Sequence, residues 1–325
     1  MTAGVLLADY GWTPIVFEAS PNVGGLCADC TEFGITRHLY GPHVFHTNYE
    51  RVYEFFTRFT DIVPYKHRVM ARVDKFSRLL SIPYSKLTAQ ELGRELSDKE
   101  VLDWFFKPYS KKMWGLNWDV LPDEITGRVP KRRADFNSDY FTDRYQGLPK
   151  NGYMAMFDNM RQHICTRGAV YCDSTPDAWR DCDYDLLVYT GSLDTLFDYR
   201  HGALEYKTVT FAREEDQPLH PAVVNECNML TPATRVSNYG QLAYKRTTEA
   251  YVISETPVAG TVTAKDGGCF YPLPWYNGND ALAKLYEADA IDWHTNVVMC
   301  GRLGSYKYMN MDQVVDDVME QLWGF

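Results

Sequence analysis

The chain opens with an apolar helical run over residues 3–10 (AGVLLADY), and Gly11 follows where a C-cap belongs. Residues 13–17 (TPIVF) have the unbroken apolar look of a short buried strand, with Glu18 at its carboxyl end. In dinucleotide-binding folds an acid there accepts hydrogen bonds from ribose hydroxyls; the alternative is an ordinary surface Glu. Gly24-Gly25 lets the backbone pass close to a phosphate, or only to itself. From residue 65 to 83 the pattern changes, and HRVMARVD and SRLLSIP read as two strands with a turn near Asp74-Lys75. Residues 85–114 carry acids and amphipathic spacing and read as helical, with Pro108 the expected break. A loop rich in Pro, Asp and Arg follows. DLLVYTG (185–191) is a buried strand ending in a glycine turn, and residues 203–212 and 250–254 read as strands of a second sheet. Residues 297–299 (VVM) resemble one more parallel strand, and residues 314–323 a closing helix. Buried strands at the beginning, middle and end, with strand-rich and helix-rich insertions between them, predict an α/β nucleotide-binding core carrying inserted lobes.

Composition narrows the function. At 325 residues two or three lobes are expected. No stretch approaches the ~20 apolar residues of a membrane span, and the start lacks a secretory leader, so a cytoplasmic protein without membrane or secretory business is expected. A net charge of −10 argues against general nucleic-acid binding but leaves room for local basic pockets. The 23 Tyr and 8 Trp suit core packing and also stacking on sugars and bases. Cys27-Ala-Asp-Cys30 has the spacing of redox and zinc sites, but no second close pair completes a four-ligand set; structural, redox and metal readings stay open.

Four clusters carry chemistry. YGPHVFHTN (40–48) holds His43 and His46, a metal pair by spacing alone, although Gly41-Pro42 argues against a helix and no third ligand is close. KPYSKKMWG (107–115) sets Tyr109 and Trp114 among lysines, either a base-binding sandwich or an ordinary packed helix face. GRVPKRRADFNSDYFTDRYQGLPKNGY (127–153) concentrates Arg128, Lys131, Arg132 and Arg133 in an acidic protein, as a phosphate site or a solvated face. CGRLGSYKYMNMDQ (300–313) lies between a buried strand and a helix, where free N–H groups could meet a ring or an anion.

These clusters, in this order, together with VYTGSLDTLFDYRHGALEY, PATR and FYP, resemble the UDP-galactopyranose mutases over nearly the whole chain. The resemblance implies an FAD-binding Rossmann-like α/β domain (residues 1–45, 146–205 and 290–325), an inserted helical lobe (84–126) and an antiparallel sheet domain for substrate (46–83, 127–145 and 206–289). It implies redox-neutral isomerisation of UDP-galactopyranose to UDP-galactofuranose on reduced FAD. The flavin N5 attacks the anomeric carbon and UDP leaves, in galactofuranose biosynthesis for cell-wall polysaccharide. By the same resemblance Arg128 and Arg235 clamp the diphosphate, the first from a mobile loop. Tyr109 and Trp114 frame the uracil, and Tyr140, Tyr271 and Tyr308 offer hydroxyls to phosphate and sugar. Glu18, Gly24, Gly25, His43, His46, Thr190, Gly191, Arg302 and Met311 match flavin-contacting positions, with His46 tuning the reduced ring. No metal and no general acid or base residue is implied.

Three departures stand out. Of the family's opening strand and glycine-rich turn only Thr2-Ala3-Gly4 remains, so the true start lies upstream, FAD binding is weakened, or another chain supplies the segment. Asn310 stands where relatives usually carry Asp, removing a charge near the sugar and bearing on substrate preference. The helical lobe, often the dimer contact in the family, looks short, which bears on a homodimer. Rival expectations are a mutase for another nucleotide sugar, a flavin oxidase or dehydrogenase, and a non-catalytic nucleotide-sugar binder with impaired FAD binding.

Overall fold

The computed structural model describes residues 1–127, 133–215, 221–243, 250–293 and 296–323. Its principal strands are β1 (Ile15–Phe17), β2 (Asp29–Glu32), β3 (Ile35–His38), β4 (Phe45–Thr47), β5 (Ile62–Pro64), β6 (Val69–Val73), β7 (Leu80–Ile82), β8 (Tyr145–Pro149), β9 (Ala169–Tyr171), β10 (Leu187–Tyr189), β11 (Val209–Glu214), β12 (Val223–Cys227), β13 (Arg235–Asn238), β14 (Val252–Pro257) and β15 (Val297–Met299). The principal helices are α1 (Thr2–Asp9), α2 (Glu50–Thr57), α3 (Lys86–Leu92), α4 (Lys107–Trp114), α5 (Gly152–Ile164), α6 (Asn279–Trp293) and α7 (Met311–Gln321).

The α/β half is built on two parallel pairs, β1 with β9 and β10 with β15. The apolar faces of α1, α5 and α7 meet over them, burying Val5, Leu6, Met156, Met160, Ile164, Val315 and Val318 with Phe45, Phe55 and Phe56. Full burial of each such side chain is worth roughly 1.5–3 kcal/mol. The expected strands are all present: 13–17 and 185–191 are trimmed at their ends, 297–299 is as expected, 203–212 divides in two and runs on to Glu214, and 250–254 starts at Val252 and runs on to Pro257.

The second half is a six-stranded sheet in the order β11-β14-β13-β12-β6-β7. Its pairs are antiparallel as the resemblance implies, with one exception: β12 runs parallel to β6 (Val223↔Val69 to Cys227↔Val73). That join stitches the first insertion to the second, so no hairpin dictates its direction. A third sheet, β4-β8-β5, lies between the halves and pairs His46 with Gln146.

The lobe over residues 85–114 is two helical runs, and the break falls at Gly93 rather than at Pro108. A Ser85–Thr88 capping box starts α3, which stops at Gly93. Ser97 and Glu100 cap a new turn, Asp98–Val101, which runs through a five-residue π segment, Leu102–Phe106, into α4. Pro108 does not break the helix: the run continues through it into α4, and the π segment directly before it is where the ladder is already out of i→i−4 register. The closing helix starts three residues earlier than its apolar pattern suggests, because Asn310 caps it and the Gln313 side chain accepts from the Asn310 amide at 2.7 Å. Among the described residues no helix is long and apolar enough to cross a membrane.

Candidate active site

A cavity of about 840 Å³ opens where the three units meet. One wall is the segment from Tyr40 to His46, between β3 and β4, with the chain from Tyr140 to Asp143 behind it. The rest of the lining comes from α4, from β13 and β14, whose Glu255 reaches the Gly41 turn, and from Tyr271 and residues around 302–312. His43, His46, Tyr109, Trp114, Tyr140, Arg235, Tyr271, Arg302, Tyr308, Asn310 and Met311 all line this one space. Residues far apart in the sequence, from 40–46 to 302–312, thus converge on it. Arg128 lies outside the described residues.

The histidine wall is held by hydrogen bonds that fix tautomers. His38, buried at the end of β3, accepts the His43 amide on Nδ1 at 2.8 Å, so its proton is on Nε2. His43 Nδ1 lies 2.9 Å from the Gly41 carbonyl, which can only accept, so Nδ1 carries the proton and Nε2 is the acceptor. Burial pushes the His38 imidazolium down to about 3, and burial followed by the Arg302 charge pushes that of His43 down to about 4. Both rings are therefore neutral at pH 7. Gly41 is required here: its φ is +88°, and a Cβ would stand 3.1 Å from Glu255 Oε1. His46 points its Nδ1 at Asp143 Oδ2, 3.1 Å away, while Asn48 donates to the other carboxylate oxygen at 2.8 Å. The His46 ring stacks on Phe141 at 3.7 Å, and His67 stacks on Phe141 at 5.6 Å.

The α4 and sheet side of the cavity is charged. Arg235 is half-buried, its Nη2 3.3 Å from the Tyr109 hydroxyl and its Nε 3.8 Å from Glu255 Oε1. Burial opposes its charge, but Glu255, Tyr109 and Tyr271 hold it protonated. Burial pushes the Glu255 carboxyl up, with Arg235 pulling the other way, and its Oε1 has no hydrogen-bond partner. Tyr271 and Tyr308 meet edge to face at 5.4 Å, and Trp114 sits edge-on to both. Burial raises Tyr140 to about 12 and Tyr271 further, so both keep neutral hydroxyls. Arg302 spends two donors on the carbonyls of Met309 (2.6 Å) and Phe270 (3.2 Å) and lies over the Tyr308 ring at 5.0 Å. Arg133, read from sequence as part of a charge run, also lines the cavity, with its Nη1 buried and unpartnered.

Phe141, His67, Asp143 and Glu255 line the cavity without having been singled out in the sequence. Glu255 had a signal: an acid within the otherwise buried-strand pattern of β14. Phe141 and Asp143 lie in an irregular stretch where no periodicity marks a facing residue.

Glu18, Gly24, Gly25, Thr190 and Gly191 do not line the cavity; they sit at the carboxyl ends of the parallel strands or just beyond them. Glu18 extends the β1–β9 ladder, its amide on the Tyr171 carbonyl at 2.9 Å, and its carboxylate accepts from Ser20 N at 2.8 Å. At Gly25, φ is +53° and the space where a side chain would stand is open, while the Gly24 α-carbon packs on Phe157. An acid at one strand end, an open glycine further along the same loop and a cavity of about 840 Å³, in the upper part of the ~300–1,000 Å³ range, suit an elongated dinucleotide with a flat ring. Buried Asp312 at the start of α7, with an unpartnered Oδ1 in the cavity wall, adds an acceptor of the kind a ring N–H takes. The donor set fits a flavin.

Comparison with known proteins agrees. An NAD(P)-binding Rossmann-like domain profile matches residues 1–59. The chain is 27% identical to the probable UDP-galactopyranose mutase of Klebsiella pneumoniae over 97% of this chain and 88% of that protein. It is 25% identical to the dTDP-fucopyranose mutase of Escherichia coli over 98% and 93%. Its fold matches a crystal structure of reduced UDP-galactopyranose mutase with a TM-score of 0.69 at 14% identity, covering 99% of this chain and 91% of that one. The profile of UDP-galactopyranose mutase matches residues 104–308, from the helical lobe through Arg235 to Tyr308. Since that match takes in well over half of the sequence and most of the cavity wall, the chain belongs to the UDP-galactopyranose mutase family.

Proposed function

We propose that the cavity is the active site of a flavin-dependent enzyme that interconverts UDP-galactopyranose and UDP-galactofuranose with no net oxidation, using FAD in its reduced form. The observation that carries this reading is Arg235, a half-buried cation beside Tyr109 on the aromatic wall, in the same cavity as the neutral His43. When bound, the reduced flavin supplies the nucleophile for the anomeric carbon. The chain's residues do the rest. Tyr109 and Trp114 on α4 hold the uracil. Arg235 meets the diphosphate and neutralises the charge that develops as UDP departs, with Arg128 as a second clamp. Its present partner, Glu255, is 3.8 Å away and leaves donors for a phosphate. Neutral Tyr271 and Tyr308 hydroxyls orient phosphate and sugar, and Tyr140 and Asn310 complete the substrate side. Neutral His43 and Asp143-bound His46 keep one arrangement of donors and acceptors against the ring, with Arg302 and Met311 at its edge. Glu18, Gly24, Gly25, Thr190 and Gly191 hold the rest of the cofactor.

The test is the visible spectrum of protein purified with FAD and desalted, followed by turnover with and without dithionite. A retained flavin band and conversion of UDP-galactopyranose only in the reduced sample are expected. Equal conversion without reduction, or none in the reduced flavin-loaded protein, overturns the reading. dTDP-fucopyranose in a parallel assay tests substrate choice.

A further inference from the structure

Lys112 is a cation of α4 that takes no part in the cavity wall. It follows Tyr109 by three residues, and its ammonium crosses to the sheet, donating to the carbonyls of Thr231 (3.2 Å) and Ala233 (2.5 Å). Those carbonyls belong to the connection from β12 to β13, and Ala233 stands two residues before Arg235. The connection is rigid by itself: Asn228 Oδ1 accepts from the amides of Leu230 and Thr231, Thr231 Oγ1 accepts from Ala233 N, and Thr234 N donates to the Glu255 carbonyl at 2.8 Å. Lys112 ties this unit to the helix. Arg235 closes a ring of contacts by returning to the Tyr109 hydroxyl. Burial lowers the proton affinity of Lys112, opposed by Glu226, Cys227 and Asp74. A half-buried ammonium on two carbonyls, with no carboxylate hydrogen-bonded to it among the described residues, is a positioning device rather than an ion pair.

We propose that Lys112 sets the distance between the helix that grips the base and the arginine that grips the diphosphate, and so makes the site select nucleoside diphosphates over monophosphates. The inference rests on the UDP-sugar reading of the cavity. A helix free to move by ~1 Å against Arg235 loses simultaneous contact with base and diphosphate, a displacement that can cost ~10²-fold in a positioned site. A ligand that does not reach Arg235 is indifferent to it.

The test is titration calorimetry of the flavin-loaded protein with UDP and with UMP, for wild type, Lys112→Arg and Lys112→Met, with melting curves for each. Wild type is expected to prefer UDP. Lys112→Met should lose about tenfold or more in UDP affinity while UMP affinity stays within about twofold, and Lys112→Arg, which keeps donors for both carbonyls, should keep the preference. Unchanged UDP affinity in Lys112→Met, or a parallel loss for both nucleotides, overturns the proposal. Where Met does not fold, Lys112→Gln carries the same comparison. A wild type that binds neither nucleotide overturns the UDP-sugar reading itself, and the inference with it.

Discussion

The two walls of the cavity solve opposite problems. On the histidine wall His38 and His43 are neutral, each with a partner that fixes its tautomer, His38 on the His43 amide and His43 on the Gly41 carbonyl, and His46 is held on Asp143. On the arginine wall a half-buried cation and a buried acid are incompletely paired, with Arg235 and Glu255 at 3.8 Å and Glu255 Oε1 unpartnered. A flat cofactor needs one fixed arrangement of donors and acceptors, which neutral groups supply without attracting counterions. A departing diphosphate needs cationic capacity still unspent, and that has to be held in the free protein at a cost in stability.

Removing the charge on the second wall should have the largest effect. Arg235→Ala is expected to lower turnover about 10²–10³-fold, the usual loss for an electrostatic stabiliser of a developing anion. It also strands Glu255 in the interior, and breaking a buried pair from one side costs ~3–5 kcal/mol. Adding Glu255→Gln should recover much of the melting temperature and none of the turnover. Recovery of turnover would mean that Arg235 serves the fold and not the substrate.

The neutral wall should declare itself through pH. Burial, then Arg235 and His46, lowers the His67 imidazolium to about 3, beside His38 at about 3 and His43 at about 4. Below pH ~6.5 the unfolded chain takes up protons that these rings refuse in the fold. Their contribution is therefore complete above 6.5 and is lost as pH falls towards 4 and then 3, each ring adding ~1.4 kcal/mol per pH unit to the slope. Glu255 and Asp312, raised by burial, act with the opposite sign. Comparing wild type with His67→Phe by urea unfolding between pH 6.5 and 4.5 cancels them. The variant's slope should be shallower by one histidine; parallel curves would show that His67 is charged in the fold.

A smaller effect separates geometry from ring chemistry. Asparagine carries an oxygen where His38 has Nδ1, and glutamine reaches the position of Nε2. His38→Asn should keep the bond to the His43 amide, whereas His38→Gln should lose a net hydrogen bond, typically ~1 kcal/mol, and bind flavin several-fold more weakly. Equal flavin affinity in the two variants would mean that the His43 loop does not depend on that acceptor.

What could be read beforehand follows the same division. Glu18, the glycine pair and the strands at 187–189 and 297–299 were legible because strand ends and apolar runs are local signals. Tyr109, Trp114, Arg235 and Tyr308 were legible only through the order of motifs, since nothing local says that a stripe on α4 faces a cavity instead of a core. The Glu255 partnership was hidden because it depends on register: Arg235 stands opposite Glu255 in the β13–β14 ladder, and no spacing in the sequence encodes that pairing. The parallel β6–β12 join and the split of the 85–114 lobe were hidden for a related reason, being settled by long-range packing and by capping at Ser97.

The smallest effect is expected from the motif that looked most like chemistry. Cys27 and Cys30 lie on either side of the start of β2, whose partner strand β3 ends at His38. Burial pushes the Cys27 thiol up to about 11, with Arg302 pulling back. Cys30 is raised first by burial and then by Glu32, to which its Sγ donates at 3.3 Å. Redox exchange and metal binding both need thiolates, and these positions disfavour them at neutral pH. If the wall works by fixed neutral geometry, two hydroxyls serve as well as two thiols. The Cys27→Ser/Cys30→Ser protein should keep its flavin and turn over within about twofold of wild type, the scale of a surface-like substitution. Loss of activity with flavin still bound would give the pair a chemical role and break the picture of a wall whose residues only hold position.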